Sequence, residues 1–198
     1  MPILDRRHLP ALFTFLALAC ASCGRPTTEA VTDIAGVMPP LSFHMTRAND
    51  GASVSAANYR GKVVILYFGY THCPDECPTT LANLAAALQR LGPNARGVRV
   101  LFVSVDPVRD TPAILKSYVQ AFAPEIDGLR GSDNAIATLA RRYRVIYAVT
   151  PASPGHPYTV MHSASTFFFD RKGYARLVSM STDDTAVITA ELQRLLRG

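Results

Sequence analysis

Cys73 and Cys77 are the residues whose types and spacing most directly suggest chemistry in this chain. They lie four positions apart in THCPDECPTT, directly after the apolar run VVILYFGY. Two thiols at this spacing either exchange electrons as a dithiol/disulfide pair or hold a soft metal ion. A third ligand elsewhere in the chain would favour the metal, because two thiolates and one imidazole suit Cu(I) or Cu(II), with zinc as an alternative.

Histidine is the residue type that would complete such a site, and the chain has five. His162 stands immediately before STFFFD, a predicted strand, so we expect it near the sheet end where the cysteine loop also lies. His156 sits in a Pro/Gly loop and is a distant second candidate, and His72 directly precedes the first cysteine. His44 falls in an early hairpin, where we interpret it as structural or exposed.

Pro78 predicts where the helix after the cysteines begins, since proline is favoured at the first helical position and is costly further in. If Pro78 is that first residue, Cys77 is the N-cap. Its sulfur would then lie at the positive end of the helix dipole, which would lower the pKa of its thiol. Asp75 and Glu76, between the two cysteines, are interpreted as solvated loop charges.

The elements that must position these residues alternate between strands and helices. Apolar runs at 63–70 and 98–105 predict strands buried on both faces, and leucines at helical spacing over 81–91 predict the helix between them. This pattern indicates an α/β fold. The position of the cysteines between strand and helix narrows it to a thioredoxin-like fold with a mixed central sheet flanked by helices. The remaining predicted elements are strands at 41–45, 145–149, 165–170 and 174–180, an N-terminal β-hairpin with its turn at 49–51, and helices starting at Thr111, at Ser132 or Asp133, and at Asp183.

The N-terminus has a different composition from the rest of the chain. Arg6 and Arg7 precede an apolar stretch that ends in LALAC, which resembles a bacterial lipoprotein signal with Cys20 as the lipidated residue. Cys23 is the less favoured lipidation site, and a cleaved signal or an uncleaved anchor are the alternatives. We therefore expect a leader or anchor at 1–23, a tether at 24–37 and a folded domain at 38–198, on the periplasmic face of a bacterial membrane.

Composition and compartment limit the function further. The 198 residues suffice for one domain with a substantial core, and the net charge of +5 comes without a long basic run, so nothing indicates nucleic-acid binding. Beyond the inner membrane the environment is oxidising. A thiol pair there is either kept reduced by a partner or protected by a metal.

Three segments, in this order, resemble the Sco/SenC family: YFGYTHCPDECPTTL, VSVDPVRDTP and YTVMHSASTFFFD. The likeness covers roughly residues 38–197. Members are membrane-tethered, thioredoxin-fold proteins that bind copper and help to assemble the dinuclear copper centre of cytochrome c oxidase. The resemblance implies that Cys73, Cys77 and His162 are copper ligands. It also implies that the partners are a copper-receiving oxidase subunit and other periplasmic copper or thiol-redox proteins.

Two features of the resemblance concern residues around the ligands. Asp106, Arg109 and Asp110 match the DPxRDTP segment and are interpreted as supporting the site, with a loop held by its own side chains as the alternative. The residue before the ligand histidine is usually aspartate in this family, and here it is Met161. An extended backbone would point Met161 away from the metal, although a thioether is itself a soft copper ligand.

The leading hypothesis is therefore a copper metallochaperone. The alternative is a thiol–disulfide oxidoreductase in which Cys73 and Cys77 form the redox pair and His162 is not needed, and the two roles are compatible. A peroxidase of related fold is disfavoured, because the residues before Cys73 read GYTH and do not match a PxxxTxxC arrangement.

Overall fold

The computed structural model describes residues 31–198. The leader expected at 1–23, the lipidation candidates Cys20 and Cys23, and the first part of the expected tether lie outside the described residues. No helix within 31–198 combines the length and the apolar character that crossing a bilayer requires.

Residues 31–198 form ten β-strands, four α-helices and two short 3-10 helices. The strands are β1 (Thr32–Asp33), β2 (His44–Arg47), β3 (Ser53–Ser55), β4 (Val63–Gly69), β5 (Val98–Ser104), β6 (Ile126–Arg130), β7 (Tyr147–Thr150), β8 (Thr159–His162), β9 (Thr166–Phe169) and β10 (Ala175–Ser179). The helices are α1 (Glu76–Leu91), α2 (Pro112–Gln120), α3 (Asp133–Arg142) and α4 (Thr185–Arg197), and the 3-10 helices are Ala56–Tyr59 and Gly92–Gly97.

Eight of these strands form one sheet in the order β1-β10-β9-β4-β5-β6-β2-β3. Strands β4, β5 and β6 are parallel and the other neighbours are antiparallel, which confirms the predicted mixed sheet. Every residue of β4 is buried, as the continuous apolar run predicts for a strand covered on both faces. Helix α1 packs against α4, and α2 packs against β6. The predicted hairpin, β2–β3, extends the sheet beyond β6.

Local capping signals predict two helix starts correctly. Thr111 accepts a hydrogen bond from the Ile114 N–H, 3.3 Å away, and Ser132 caps α3 in the same way through the Ala135 N–H at 3.2 Å.

One strand prediction differs from the structure, and one short strand was not predicted. The strand expected at 41–45 is displaced to β2, because Leu41 instead donates its N–H to the carbonyl of Gly173, 2.8 Å away. Strand β1 lies inside the segment expected to be a tether and pairs with β10. At two residues it is too short for any periodicity to reveal it.

The pairing of strand β9 with β4 places the segment that contains His162 close to the cysteine loop. Strand β9 pairs antiparallel with β4, and Thr166 lies opposite Tyr67, so the start of β9 lies at the carboxyl end of β4 where the cysteine loop begins. Strands β7 and β8 form a separate two-stranded sheet just before β9, with Tyr147 opposite His162. The sequence pattern does not predict β8, because its four residues carry no extended apolar run.

Candidate metal centre

The cysteine loop connects β4 to α1, and α1 begins two residues earlier than Pro78 predicts. Its N-cap is Asp75 and its first residue is Glu76, so the prediction of Cys77 as the N-cap is wrong. Pro78 is the third helical residue. Its missing N–H is tolerated there because N–H groups in the first helical turn have no partner within the helix.

This shift reverses the expected environments of the two sulfurs. Cys77 is fully buried, with 0% of its surface exposed, and burial raises the pKa of its thiol, which contradicts the expected lowering. The backbone N–H of Cys77 donates to the sulfur of Cys73, 3.4 Å away. The N-terminus of α1 therefore directs an N–H group at Cys73, the half-buried cysteine, while the side chain of Cys77 packs beneath the helix.

Gly69, the last residue of β4, makes room for the buried sulfur. A Cβ at this position would lie 2.7 Å from the Cys77 Sγ and 2.6 Å from Cε2 of Phe102. Neither neighbour is a freely moving surface group, since both side chains are fully buried. The absence of a side chain at Gly69 is therefore a requirement of the site.

His162 completes the cluster from the end of β8. Its Nε2 lies 3.2 Å from the Cys77 Sγ, although 85 residues separate the two in sequence. Its Nδ1 lies 3.2 Å from the carbonyl oxygen of Ser163, which can only accept a hydrogen bond. The proton is therefore on Nδ1, and the lone pair of Nε2 points at the thiol, as metal binding requires.

Two tyrosines enclose the imidazole. The rings of Tyr67 and Tyr70 meet that of His162 edge-on, with centroids 6.0 and 5.8 Å away and interplanar angles of 76° and 87°. Tyr67 also donates its hydroxyl to the Cys77 Sγ at 3.8 Å. Burial lowers the pKa of His162, which keeps the imidazole neutral and able to act as a ligand.

The DPxRDTP segment connects the cysteine loop side of the sheet to the strand that carries His162. Asp106 is buried and accepts a hydrogen bond from the Tyr158 hydroxyl, 2.8 Å away. Its carboxylate also forms an ion pair with the Arg109 guanidinium. Arg109 in turn lies over the Tyr158 ring, 4.0 Å from its centroid, and 5.7 Å from that of Tyr70. Since Tyr158 directly precedes β8, this contact holds the start of the strand that ends at His162.

Asp110 fixes the beginning of the cysteine loop itself. This fully buried carboxylate accepts hydrogen bonds from the Thr71 and Ser104 hydroxyls, both at 2.6 Å, and from the Thr71 N–H at 3.2 Å. The segment is thus bonded internally and also to the cysteine loop and to the strand β5 beside it. Asp106, Arg109 and Asp110 are all placed to support the site, with none of them in the sulfur–imidazole cluster.

The other candidate residues lie away from the cluster. His72 is exposed, and its Nδ1 lies 3.1 Å from the Thr71 hydroxyl and 3.7 Å from the Asp110 carboxylate. His156 is also exposed, with its Nδ1 near the Pro154 carbonyl oxygen. His44 contacts the Ser53 hydroxyl at 3.3 Å. Met161 is 62% exposed and lies opposite Ala148 on the hairpin, so it faces away from the metal centre as the alternation of an extended strand predicts.

Within residues 31–198, the cluster that could hold a metal consists of Cys73, Cys77 and His162, whose ligand atoms all lie within 4.8 Å of one another. Two soft sulfurs and one imidazole are a donor set for copper, and the three-ligand number leaves a coordination position for exchange. Sequence reasoning overlooks Gly69, Tyr67, Tyr70 and Tyr158. The signal available for them is their position inside the same two segments, YFGYTHC and YTVMH, that contain Cys73 and His162.

Comparisons with known proteins identify the family to which this sequence is similar. The sequence model of the SCO1/SenC family matches residues 41–197. The chain is 39% identical over 150 residues to the mitochondrial protein SCO2 homolog of Bos taurus, covering 71% of this chain and 56% of that protein. It is 33% identical over 153 residues to protein SenC of Rhodobacter capsulatus, covering 77% and 66%. The chain thus spans less than two thirds of the length of either relative.

Solved structures of Sco proteins have the same fold as this chain. Bradyrhizobium japonicum ScoI, solved with copper bound, superposes with a TM-score of 0.72 and 37% identity, covering 79% of this chain and 99% of that one. Yeast Sco1 with copper bound gives a TM-score of 0.73 and 30% identity, covering 81% and 90%. The thioredoxin-like fold predicted from the sequence is confirmed.

Proposed function

The chain belongs to the SCO1/SenC family, and on this basis we propose that it binds one copper ion and delivers it to the dinuclear copper site of cytochrome c oxidase during assembly. The Cys73 and Cys77 thiolates and the Nε2 of His162 bind the ion. The recipient is a copper-receiving oxidase subunit. The structures of ScoI and Sco1 with copper bound support copper as the cargo.

One observation carries this proposal: the convergence of two sulfurs and one imidazole nitrogen within 4.8 Å of one another, with the nitrogen lone pair directed at the buried sulfur. A structural zinc site normally uses four protein ligands in a closed tetrahedron, and within the described residues this cluster has three. Soft thiolates favour Cu(I), and a ligand set short of four allows a recipient's ligand to enter before the ion leaves.

Loading the site requires both thiols to lose their protons. The Cys77 thiol is held protonated by burial, so copper must displace that proton when it binds. The neutral His162 imidazole needs no deprotonation at Nε2. A Cys73–Cys77 disulfide would remove two of the three ligands, so only the reduced pair can load.

Anaerobic titration of the full chain with Cu(I) and with Cu(II) tests the assignment. We expect one tightly bound copper per chain and a thiolate-to-Cu(II) charge-transfer band, and we expect Cys73→Ser and His162→Ala to lose both. Met161→Ala is the matched control, because it alters the neighbouring side chain on the opposite face of β8 and should bind copper normally. Unchanged copper binding by His162→Ala would disprove the ligand set.

A second candidate function is thiol–disulfide exchange, and the asymmetry of the two thiols favours it. The more accessible Cys73 sulfur, which accepts the Cys77 N–H, attacks a partner disulfide as a thiolate and displaces one partner thiolate. Cys77, once deprotonated, then attacks the mixed disulfide at Cys73. The partner leaves with both thiols reduced, and this chain keeps the Cys73–Cys77 disulfide, having lost two electrons. A His162→Ala variant that reduces a target disulfide at the wild-type rate without binding copper would assign this activity to the chain.

The cellular location is also a proposal. The LALAC leader supports a chain anchored by lipid at Cys20 on the periplasmic face of a bacterial membrane. Cys20→Ala should abolish lipidation, read by mass spectrometry of the N-terminal peptide, and should release the chain from the membrane fraction. Cys23→Ala is the matched control and should leave both unchanged. If the N-terminal peptide of Cys20→Ala still carried lipid, the lipid anchor would be attached to another residue.

A further inference from the structure

The end of the sheet opposite the metal centre carries a dense positive surface. The parallel strands β4 and β5 run toward the metal centre, so the residues that precede them lie at the opposite end. The β9–β10 turn and the last turn of α4 lie at that end as well. Six cationic residues gather there and are called the basic pole: Arg60, Lys62, Arg96, Arg171, Lys172 and Arg197.

Direct contacts show that the basic pole is one continuous surface. Lys62 donates its Nζ to the Arg96 carbonyl at 2.7 Å, and the residue before it, Gly61, donates its N–H to the Arg171 carbonyl at 2.9 Å. Arg171 and Arg197 line the same surface cavity of about 520 Å³. On the other side of the turn, the Arg60 guanidinium lies 3.2 Å from where a Cβ on Gly173 would be.

The charge of this surface is not balanced by neighbouring acids. Asp170 and Glu191, the acidic side chains near it, are paired with Arg176 at 3.6 Å and Arg194 at 2.8 Å. Across the part of the chain that the structure describes, the basic pole has no carboxylate within ion-pair distance. Its formal charge of +6 exceeds the +5 of the whole chain, so all other residues together sum to −1.

We propose that the basic pole binds the headgroups of an anionic phospholipid bilayer. Each Lys or Arg side chain near the surface of an anionic bilayer contributes roughly 1 kcal/mol to the binding free energy. Tyrosine and tryptophan rings are enriched at the level of the lipid headgroups. Tyr174 supplies such a ring: it directly follows the β9–β10 turn and is 56% exposed. An exposed aromatic ring two positions after Lys172, at the end of a turn, suits a lipid interface better than a flat acidic protein surface.

The chain length before β1 is compatible with this orientation. Strand β1 is antiparallel to β10, so the chain enters β1 from the metal-centre end of the sheet, and a tether must turn back to reach the basic pole. Thr32 lies opposite Val178, four positions after Tyr174, which is about 13 Å at strand spacing. Residues 24–31 reach up to about 26 Å when extended. A lipid anchor at Cys20, if present as proposed above, therefore reaches the same bilayer. The metal centre then faces away from that bilayer, toward soluble domains that would receive copper.

Sedimentation of the full chain with phospholipid vesicles tests the proposal. Binding to vesicles of phosphatidylcholine alone is compared with binding to vesicles that also contain phosphatidylglycerol. The N-terminal leader is the same in all variants, so its contribution to binding cancels when variants are compared. Lys172→Gln has a matched control in Lys116→Gln, because both are exposed lysines and Lys116 lies on α2, outside the basic pole.

We expect Lys172→Gln to weaken binding to the phosphatidylglycerol vesicles about fivefold and Arg171→Gln with Lys172→Gln about 25-fold, with Lys116→Gln unchanged. High salt should abolish the preference for anionic lipid. Equal binding to both vesicle types, or equal losses from both lysine variants, would overturn the proposal. The proposal would also be overturned if the wild-type chain showed no preference for anionic vesicles while Lys172→Gln lowered its affinity for polyglutamate. That result would indicate an acidic protein as the partner. Copper titration of the same variants should match wild type, so this proposal and the copper proposal fail separately.

Discussion

The backbone N–H of Cys77 donates a hydrogen bond to the sulfur of Cys73, 3.4 Å away, while the sulfur of Cys77 itself is fully buried. The two thiols of the CxxxC motif are therefore chemically different. Cys73 is partly accessible and receives an N–H group from the start of α1, and Cys77 packs beneath the helix beside His162.

This asymmetry predicts unequal alkylation. Under reducing, metal-free conditions, iodoacetamide should modify Cys73 at least about tenfold faster than Cys77, because reactivity follows exposure and thiolate character. Quantitative mass spectrometry of the peptides at successive times measures both rates. In guanidinium chloride the two rates should converge. Equal rates in the folded chain would contradict the burial of Cys77.

Gly69→Ala should disturb the metal centre directly. The added Cβ would lie 2.7 Å from the Cys77 Sγ, so the sulfur must move, and we expect copper affinity to fall by about 10- to 100-fold, as for other changes that misplace a ligand. Gly128→Ala is a matched control, since its Cβ would lie 2.7 Å from Cγ of Leu115, away from the ligands. It should lower thermal stability while leaving copper affinity at the wild-type value. A Gly69→Ala chain with wild-type copper affinity would refute the steric role of this glycine.

Tyr158→Phe tests whether the Asp106–Arg109 pair positions His162. The substitution removes the 2.8 Å hydrogen bond to Asp106 and keeps the ring beneath Arg109, so stability should fall by about 1 kcal/mol. Copper affinity should fall about tenfold, as for other groups that orient a ligand. Isothermal titration and denaturant unfolding measure the two effects. Tyr174→Phe, at an exposed tyrosine, serves as the control, and an affinity loss of the same size there would count against a positioning role.

Alkaline pH should destabilise the fold through buried phenols. Burial and the neighbouring Asp127 carboxylate raise the pKa of Tyr59 above its usual 10.0. The folded state therefore holds the phenol proton where the unfolded chain releases it. The stability that Tyr59 contributes is complete below pH 10 and declines as the pH rises beyond it.

Tyr59→Phe should therefore be less stable than wild type by about 1 kcal/mol at pH 8, because the 2.8 Å bond to Asp127 is lost. The difference should shrink as the pH rises above 10, since the variant has no phenol to ionise at this position. Denaturant unfolding across this range measures it. A difference that stays constant or widens would contradict the assigned direction of the pKa change.

Much of the fold could be predicted from sequence because its signals are local. Continuous apolar runs identify the central strands β4 and β5, and Thr111 and Ser132 identify two helix starts through their own side-chain hydrogen bonds. The start of α1 could not be predicted in this way. Proline is acceptable at several positions of a first turn, so Pro78 alone does not locate the helix N-terminus, and the environments of the two thiols were inverted as a result.

By itself, the sequence determined the chemistry available: two thiols four positions apart, a histidine before an apolar strand, and the three segments typical of the SCO1/SenC family. Only the tertiary structure decided how these groups meet. His162 reaches Cys77 because β9 pairs with β4, a contact between strands about 100 residues apart that no local pattern encodes. For the same reason the six cations of the basic pole are scattered in sequence and form a surface only in the folded chain. Strand pairing brings distant segments together, so a charge pattern read along the chain does not reveal the charge pattern of the surface.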